Sequence, residues 1–226
     1  MNQQHEYIGT RKLLIGIVLA VITFWLFANS LINVIPNLQT SFGSYLSTIS
    51  IAVSLTALFC GMFVVGAGSL ADYFGRVRLT IIGLWLNIFG SLLIIVSDYI
   101  PLLLMGRAIQ GLSAALIMPA TLSLIKAYYH GDKRQRALSF WSIGSWGGSG
   151  FASLFGGMIA TFLSWRWIFV FSIIVSLIAV LLIKGTPESK NQHASSRQFD
   201  IVGLILLVVM MPVSYTHLTL PTSDLE

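Results

Sequence analysis

Polar residues in this chain fall into short clusters, and long apolar runs separate them. Six runs qualify as spans, at 13–35, 49–70, 79–97, 101–125, 137–163 and 167–183. Each is close to the roughly 20 apolar residues that a helix needs to cross a bilayer. In lipid the backbone must satisfy its own hydrogen bonds, so runs of this length predict helices rather than loops. A seventh apolar run opens at Asp200 and stops at Met211, which is too short to cross. The predicted fold class is therefore all-α integral membrane. Its parts are an N-terminal segment (1–12), a six-span bundle (13–184), a polar linker (185–199), a truncated seventh span (200–211) and a tail without membrane patterning (212–226).

Composition agrees with the pattern. Of 226 residues, 56% are hydrophobic and 9% charged. An ordinary soluble domain carries roughly 25% charged residues, so that class is excluded. The formal net charge of +5 invites a nucleic-acid reading, but its placement points elsewhere. Lys and Arg cluster before span one, between spans two and three, between four and five, and after six. The alternate loops at 36–48 and 98–100 have none, and only Arg166 stands on that side. By the positive-inside rule the N-terminus and the 185–199 linker are expected in the cytoplasm. The first apolar run is too long for a signal-peptide core and no small-residue cleavage site follows, so it reads as a span. Cys60 lies in an apolar run and reads as a small buried hydrophobe. No zinc spacing, phosphate loop or nucleophile triad is present, so no enzyme and no cofactor is expected.

Few residues carry chemistry. Arg107 lies near the start of span four in "LLLMGRAIQGLSAA". A charge in a span is costly and normally faces the bundle interior or a water-filled cavity. Gln110 and Gly111 follow on the same helix face. The competing reading is an Arg snorkelling to the interface. Between spans two and three stands "GSLADYFGRVR", with Gly68, Asp72, Gly75, Arg76 and Arg78. Asp72 sits at a helix C-terminus, where the dipole disfavours an anion, so an arginine or a neighbouring helix N-terminus must hold it. Gly75 permits a tight reversal. The alternative is a solvated hairpin serving topology alone. Span five is rich in glycine, including Gly144, Gly148, Gly156 and Gly157, for which close helix packing is the plainer reading. Trp25, Asn29, Asn33 and Met118 are candidates to line a substrate path, with packing or lipid contact as the plainer alternative.

These motifs resemble those of the major facilitator superfamily. "G-x-L-A-D-x-x-G-R" is similar to its signature between spans two and three, and "R-x-x-Q-G" to its fourth-span motif. "SWRWIF" at 164–169 is similar to the start of its sixth span, and "GSWGGSGFASLFGG" to the glycine motif of drug:proton antiporters. The likeness extends to Met211 and is strongest to the fourteen-span branch of Gram-positive quinolone and multidrug efflux pumps. It implies 3+3 inverted repeats in the six-span bundle. It implies efflux of amphipathic drugs such as quinolones, dyes and quaternary ammonium compounds across the bacterial plasma membrane, driven by a proton gradient. Arg107, Gln110 and Gly111 would tune proton coupling, and the 68–78 segment would gate the inner side. A solute facilitator on the same fold and an inactive half-protein are the alternatives.

The chain departs from the pattern in three places. Tyr73 replaces a basic residue, Ala152 and Ser153 replace Gly-Pro, and span one has Phe27, Ala28 and Asn29 where an acid is usual. No Asp, Glu or His lies well inside a span, so the proton carrier is expected in a second half absent from this chain. The tail "VSYTHLTLPT" at 213–222 resembles the translation of a transposase-library sequencing adaptor, and 212–226 is expected to be non-native.

Overall fold

The computed structural model describes residues 7–189 and Met210. The truncated seventh span, most of the linker and the tail lie outside the described residues. Among the described residues 7–189, six helical rods run in alternating directions. They are α1 (Arg11–Phe42), α2 (Leu46–Phe74), α3 (Arg76–Ile95), α4 (Ile100–Tyr128), α5 (three consecutive segments, Gly131–Ser142, Ile143–Gly147 and Gly148–Phe162) and α6 (Trp167–Ile183). Helices α1 to α4 are each long and apolar enough to cross a membrane. Helix α6 has 17 residues, or about 25 Å at 1.5 Å per residue, the short limit for a span.

The rods are longer than the apolar runs because polar residues extend them past the bilayer core. Helix α1 continues through Pro36 to Phe42, where the sequence suggests a loop from residue 36. Pro36 falls in the first turn of the segment Ile35–Phe42, where its missing N–H costs nothing. Gly43 then stops the helix in the left-handed region, at φ 59°. Helix α5 starts at Gly131, so Lys133, Arg134 and Arg136 lie on its first turns rather than in a loop.

Two rods contain wide turns. Thr23–Ala28 of α1 and Ile143–Gly147 of α5 are π-helical, and Leu31–Val34 of α1 is 3₁₀. Such inserts interrupt the regular ladder and often mark functional positions. The irregularity in α5 needs no proline, in keeping with Ala152-Ser153 in place of Gly-Pro.

Packing follows a crossed pattern. Helix α4 packs on α2 and α3, whereas α1 packs on α5 and α6, and α3 meets α6 between them. The first helix of each three-helix repeat thus packs against the second helix of the other, as inverted repeats require. Within a repeat, α2 with α3 and α5 with α6 share much smaller contacts.

Two apolar clusters cap the bundle. One gathers Leu13, Ile17, Leu124, Ile125 and Ile183 at the basic end, and the other gathers Leu38, Ile49, Leu103, Trp165 and Ile168 at the opposite end. Polar side chains lie between them. Asn87 Nδ2 donates to Ser172 Oγ at 2.9 Å and to Ser176 Oγ at 2.8 Å, tying α3 to α6. At the basic end Tyr129 Oη donates to the Thr10 carbonyl at 2.7 Å. Burial pushes this phenol up to about 12.

Candidate functional site

Arg107 is 1% exposed, which corrects the snorkelling alternative. It lies in the third turn of α4, and its guanidinium reaches across to α1 and α2. Nε donates to the Ala52 carbonyl at 3.2 Å, and Nη2 to the carbonyls of Val53 at 3.2 Å and Ala28 at 3.3 Å. Nη1 donates to Gln110 Oε1 at 2.9 Å. One planar fork therefore links three helices, a task suited to a guanidinium.

The local geometry explains why these acceptors are present. Ala28 closes the π segment of α1, where the shift from π to 3₁₀ turns disturbs the ordinary i to i+4 pairing. Asn29 Nδ2 takes the Trp25 carbonyl in the same stretch at 3.2 Å. On α4, Gln110 passes the network on, since its Nε2 donates to Ser91 Oγ of α3 at 3.0 Å. Thr56 Oγ1 of α2 donates back to the Arg107 carbonyl at 3.0 Å. Gly111 sets the distance between α2 and α4. A Cβ there would lie 2.5 Å from the Thr56 carbonyl oxygen and 2.7 Å from Phe59 Cβ. Arg107 and Gln110 meet in one hydrogen bond, Gly111 packs against α2, and all three are buried.

A cavity of about 610 Å³ opens between α1 and α2 against this cluster. Its wall includes Phe24, Asn29, Ser50, Ser54, Thr56 and Arg107. Of the four substrate-path candidates, only Asn29 lines it. Trp25 instead stacks on Trp146 of α5, with centroids 5.8 Å apart. Asn33 is exposed on the 3₁₀ turn, and Met118 is half-buried on α4 one residue before Pro119.

The 68–78 segment is not a loop. Gly68 and Asp72 belong to α2, while Arg76 and Arg78 open α3. Gly75 alone joins the helices, at φ 115°, a conformation that an L side chain rarely adopts. Arg76 Nη2 holds Asp72 Oδ1 at 2.8 Å across that turn, answering the question of what stabilises the anion. Sequence reading missed a second anion here. Glu188, just beyond α6, accepts from the backbone N–H of Val77 at 2.9 Å and of Arg78 at 3.0 Å. The Arg76 N–H donates to the Ser189 carbonyl at 3.1 Å, and Tyr128 Oη donates to the Pro187 carbonyl. The chain after α6 is thus strapped over the α2–α3 turn. An acid in a polar linker gives no signal of this, although its contact with a helix N-terminus is favourable once made.

The span-five glycines divide by face. Gly144, Gly148, Ala152 and Gly156 form an i, i+4 ridge against α1. A Cβ on these glycines would meet Val18 at 3.2 Å, Trp25 Cβ at 3.2 Å and the Ser30 carbonyl at 2.8 Å respectively. Ser30 Oγ donates to the Ala152 carbonyl at 3.1 Å along the same seam. Gly157 faces open space.

A crossed six-helix bundle with a buried arginine network is the architecture of one half of a secondary transporter. The Major Facilitator Superfamily family model matches residues 13–221, and the chain belongs to that family. The matched interval runs past Met211 into the stretch expected to be non-native. The chain is 68% identical over 203 residues to the quinolone resistance protein NorB of Staphylococcus aureus strains JH9 and Newman. That alignment covers 90% of this chain and 44% of the relative, so the chain spans less than half the length of the curated relatives it matches. Among solved structures, a D-xylose-proton symporter superposes with a TM-score of 0.68 at 16% identity, covering 91% of this chain and 52% of the other. A peptide transporter does so with 0.67 at 16% identity, covering 92% and 44%. At such identities the two superpositions establish the fold alone. The protein is multi-pass and membrane-embedded.

Proposed function

We propose that this chain supplies one wall of a proton-coupled multidrug efflux pump that works by alternating access between two six-helix halves in a bacterial plasma membrane. What carries the reading is the 68% identity to a quinolone resistance protein over nearly the whole chain. The N-terminus and the basic ends of the helices face the cytoplasm, as the placement of Lys and Arg favours. Amphipathic drugs and protons are the transported partners, and the proton gradient takes the place of any cofactor. Catalytic chemistry has no part in this reading.

In this reading Arg107 tunes coupling through its hydrogen bonds to α1 and α2 rather than carrying the proton itself. Its bonds to Ala28, Ala52 and Val53 tie α4 to α1 and α2, so rearrangement at α1 is felt in the network. The α2–α3 turn, held by Asp72 with Arg76 and by Glu188, gates the cytoplasmic side. The missing partner is the second half of the same transporter, which would hold the titrating acid. The test is dye efflux from cells expressing this chain, alone and joined to the second half of a NorB-like relative. Energy-dependent efflux by the joined protein, abolished by a protonophore, is expected. Its absence from the joined protein overturns the reading, while strong efflux by the chain alone overturns the need for a second half.

A further inference from the structure

At the basic end, two stretches far apart in the chain are held at one corner. Tyr129 Oη donates to the Thr10 carbonyl at 2.7 Å, and the Gly9 N–H donates to the Tyr128 carbonyl at 2.8 Å. Leu13 and Ala137 pack in one apolar cluster with Tyr129. Arg11 and Lys12 stand between Thr10 and Leu13, so they lie beside the start of α5, which carries Lys133, Arg134 and Arg136. All five side chains are exposed, and Asp132 is the one acid interleaved with them. Among the described residues none of the five forms an ion pair, whereas Arg76 and Arg78 at the same end face Asp72 and Glu188. Topology requires only that cations lie on this side of the membrane. It does not require that cations of two helices converge unpaired.

We infer that this corner binds the headgroup of an anionic phospholipid, with Arg11, Lys12, Lys133 and Arg136 around its phosphate. A phosphodiester accepts charge-assisted hydrogen bonds from such groups and relieves their mutual repulsion. Two apolar side chains point to a lipid rather than to free phosphate. Phe140 and Ile143 follow Lys133 and Arg136 at steps of three, four and three residues, which puts all four on one face of α5. Both are exposed, at 52% and 64%. Cations at the helix end with apolar groups deeper along the same face match a headgroup and its acyl chains in order. The bound headgroup would join α1 to α5 at the end of the seam where Gly144 packs on Val18. The inference needs only that the protein is membrane-embedded, so it stands apart from the efflux reading.

The test is native mass spectrometry of the 226-residue chain, delipidated in a neutral detergent and titrated with phosphatidylglycerol or with phosphatidylcholine of the same acyl chains. Phosphatidylglycerol is expected to bind about fivefold more tightly or better. Arg11→Gln with Lys12→Gln, and separately Lys133→Gln with Arg136→Gln, are each expected to bring the two lipids to within about twofold. Lys133→Arg with Arg136→Lys keeps the charge and is expected to keep the preference. Arg78→Gln, which removes a charge at the same end but outside the corner, is expected to keep it as well. Excess inorganic phosphate is expected to leave the lipid bound. Equal binding of the two lipids by the wild-type chain overturns the inference, as does a preference that survives either pair of Gln substitutions. Loss of the preference in Arg78→Gln or in the charge-conserving pair, or displacement of the lipid by phosphate, does so too. Efflux by the joined protein is compatible with every one of these results, so failure here leaves the efflux reading intact.

Discussion

Arg107 shows what a single residue can disclose before a structure exists. A lone cation in an apolar run must be buried with partners or reach the interface. The sequence marks the residue, and its neighbour Gln110 marks one partner, because i and i+3 share a helix face. The other partners, the carbonyls of Ala28, Ala52 and Val53, carry no sequence signal, since every residue has a carbonyl. Geometry rather than charge alone should therefore govern the site. Arg107→Lys keeps the charge, but one ammonium cannot span acceptors on α1, α2 and α4 together. We expect it to cost about 1–2 kcal/mol of stability, read as a lower melting temperature in detergent. A melting curve unchanged from wild type would mean that the charge alone suffices.

At the scale of the element, helix existence was legible and helix ends were not. Apolar periodicity stops where lipid stops, but the backbone ladder continues while residues allow it. This is why α1 runs to Phe42 and why α2 and α3 meet at Gly75 without a loop. The π segments were also hidden, since neither TFWLFA nor IGSWG contains a proline that would mark a wide turn in the pattern. The glycine-rich α5 illustrates the difference between a motif and a contact. Gly156 and Gly157 are adjacent in sequence, yet a Cβ on the first would lie 2.8 Å from the Ser30 carbonyl while the second meets nothing within 4 Å. Gly156→Ala is expected to destabilise the protein by about 1–3 kcal/mol through overpacking. Gly157→Ala is expected to be neutral or stabilising by up to about 1 kcal/mol, since Ala is the better helix former. Parallel thermal melts of the two variants check this, and equal effects would show that the ridge assignment is wrong.

At the scale of the whole molecule, the crossed packing of the two repeats brings distant segments to one place. The basic end is closed by residues far apart in the chain: Asp72 with Arg76, and Glu188 with the N–H groups of Val77 and Arg78. Glu188→Ala removes both acceptors that cover the start of α3. Amide exchange at Val77 and Arg78 is expected to rise at least tenfold, with exchange in the middle of α4 unaltered. Unchanged exchange at those two amides would mean that the 186–189 strap does not hold the turn.

The sequence by itself determined that this is a multi-span helical membrane protein, that its basic residues gather at alternate loops, and that Arg107 is its unusual charge. Those conclusions need only transfer energies and helix periodicity, which are local properties of the chain. The motifs added the family for the same reason, as short patterns at fixed spacing. Tertiary structure alone decided which carbonyls receive the guanidinium, which glycines touch α1, and that Glu188 caps α3. It also decided that Asn29, but not Asn33, Trp25 or Met118, lines the cavity. Each of these depends on the rotation and depth of one helix against another. Side-chain packing at ångström range sets those variables, and a hydrophobic pattern that fixes only which face is apolar leaves them open.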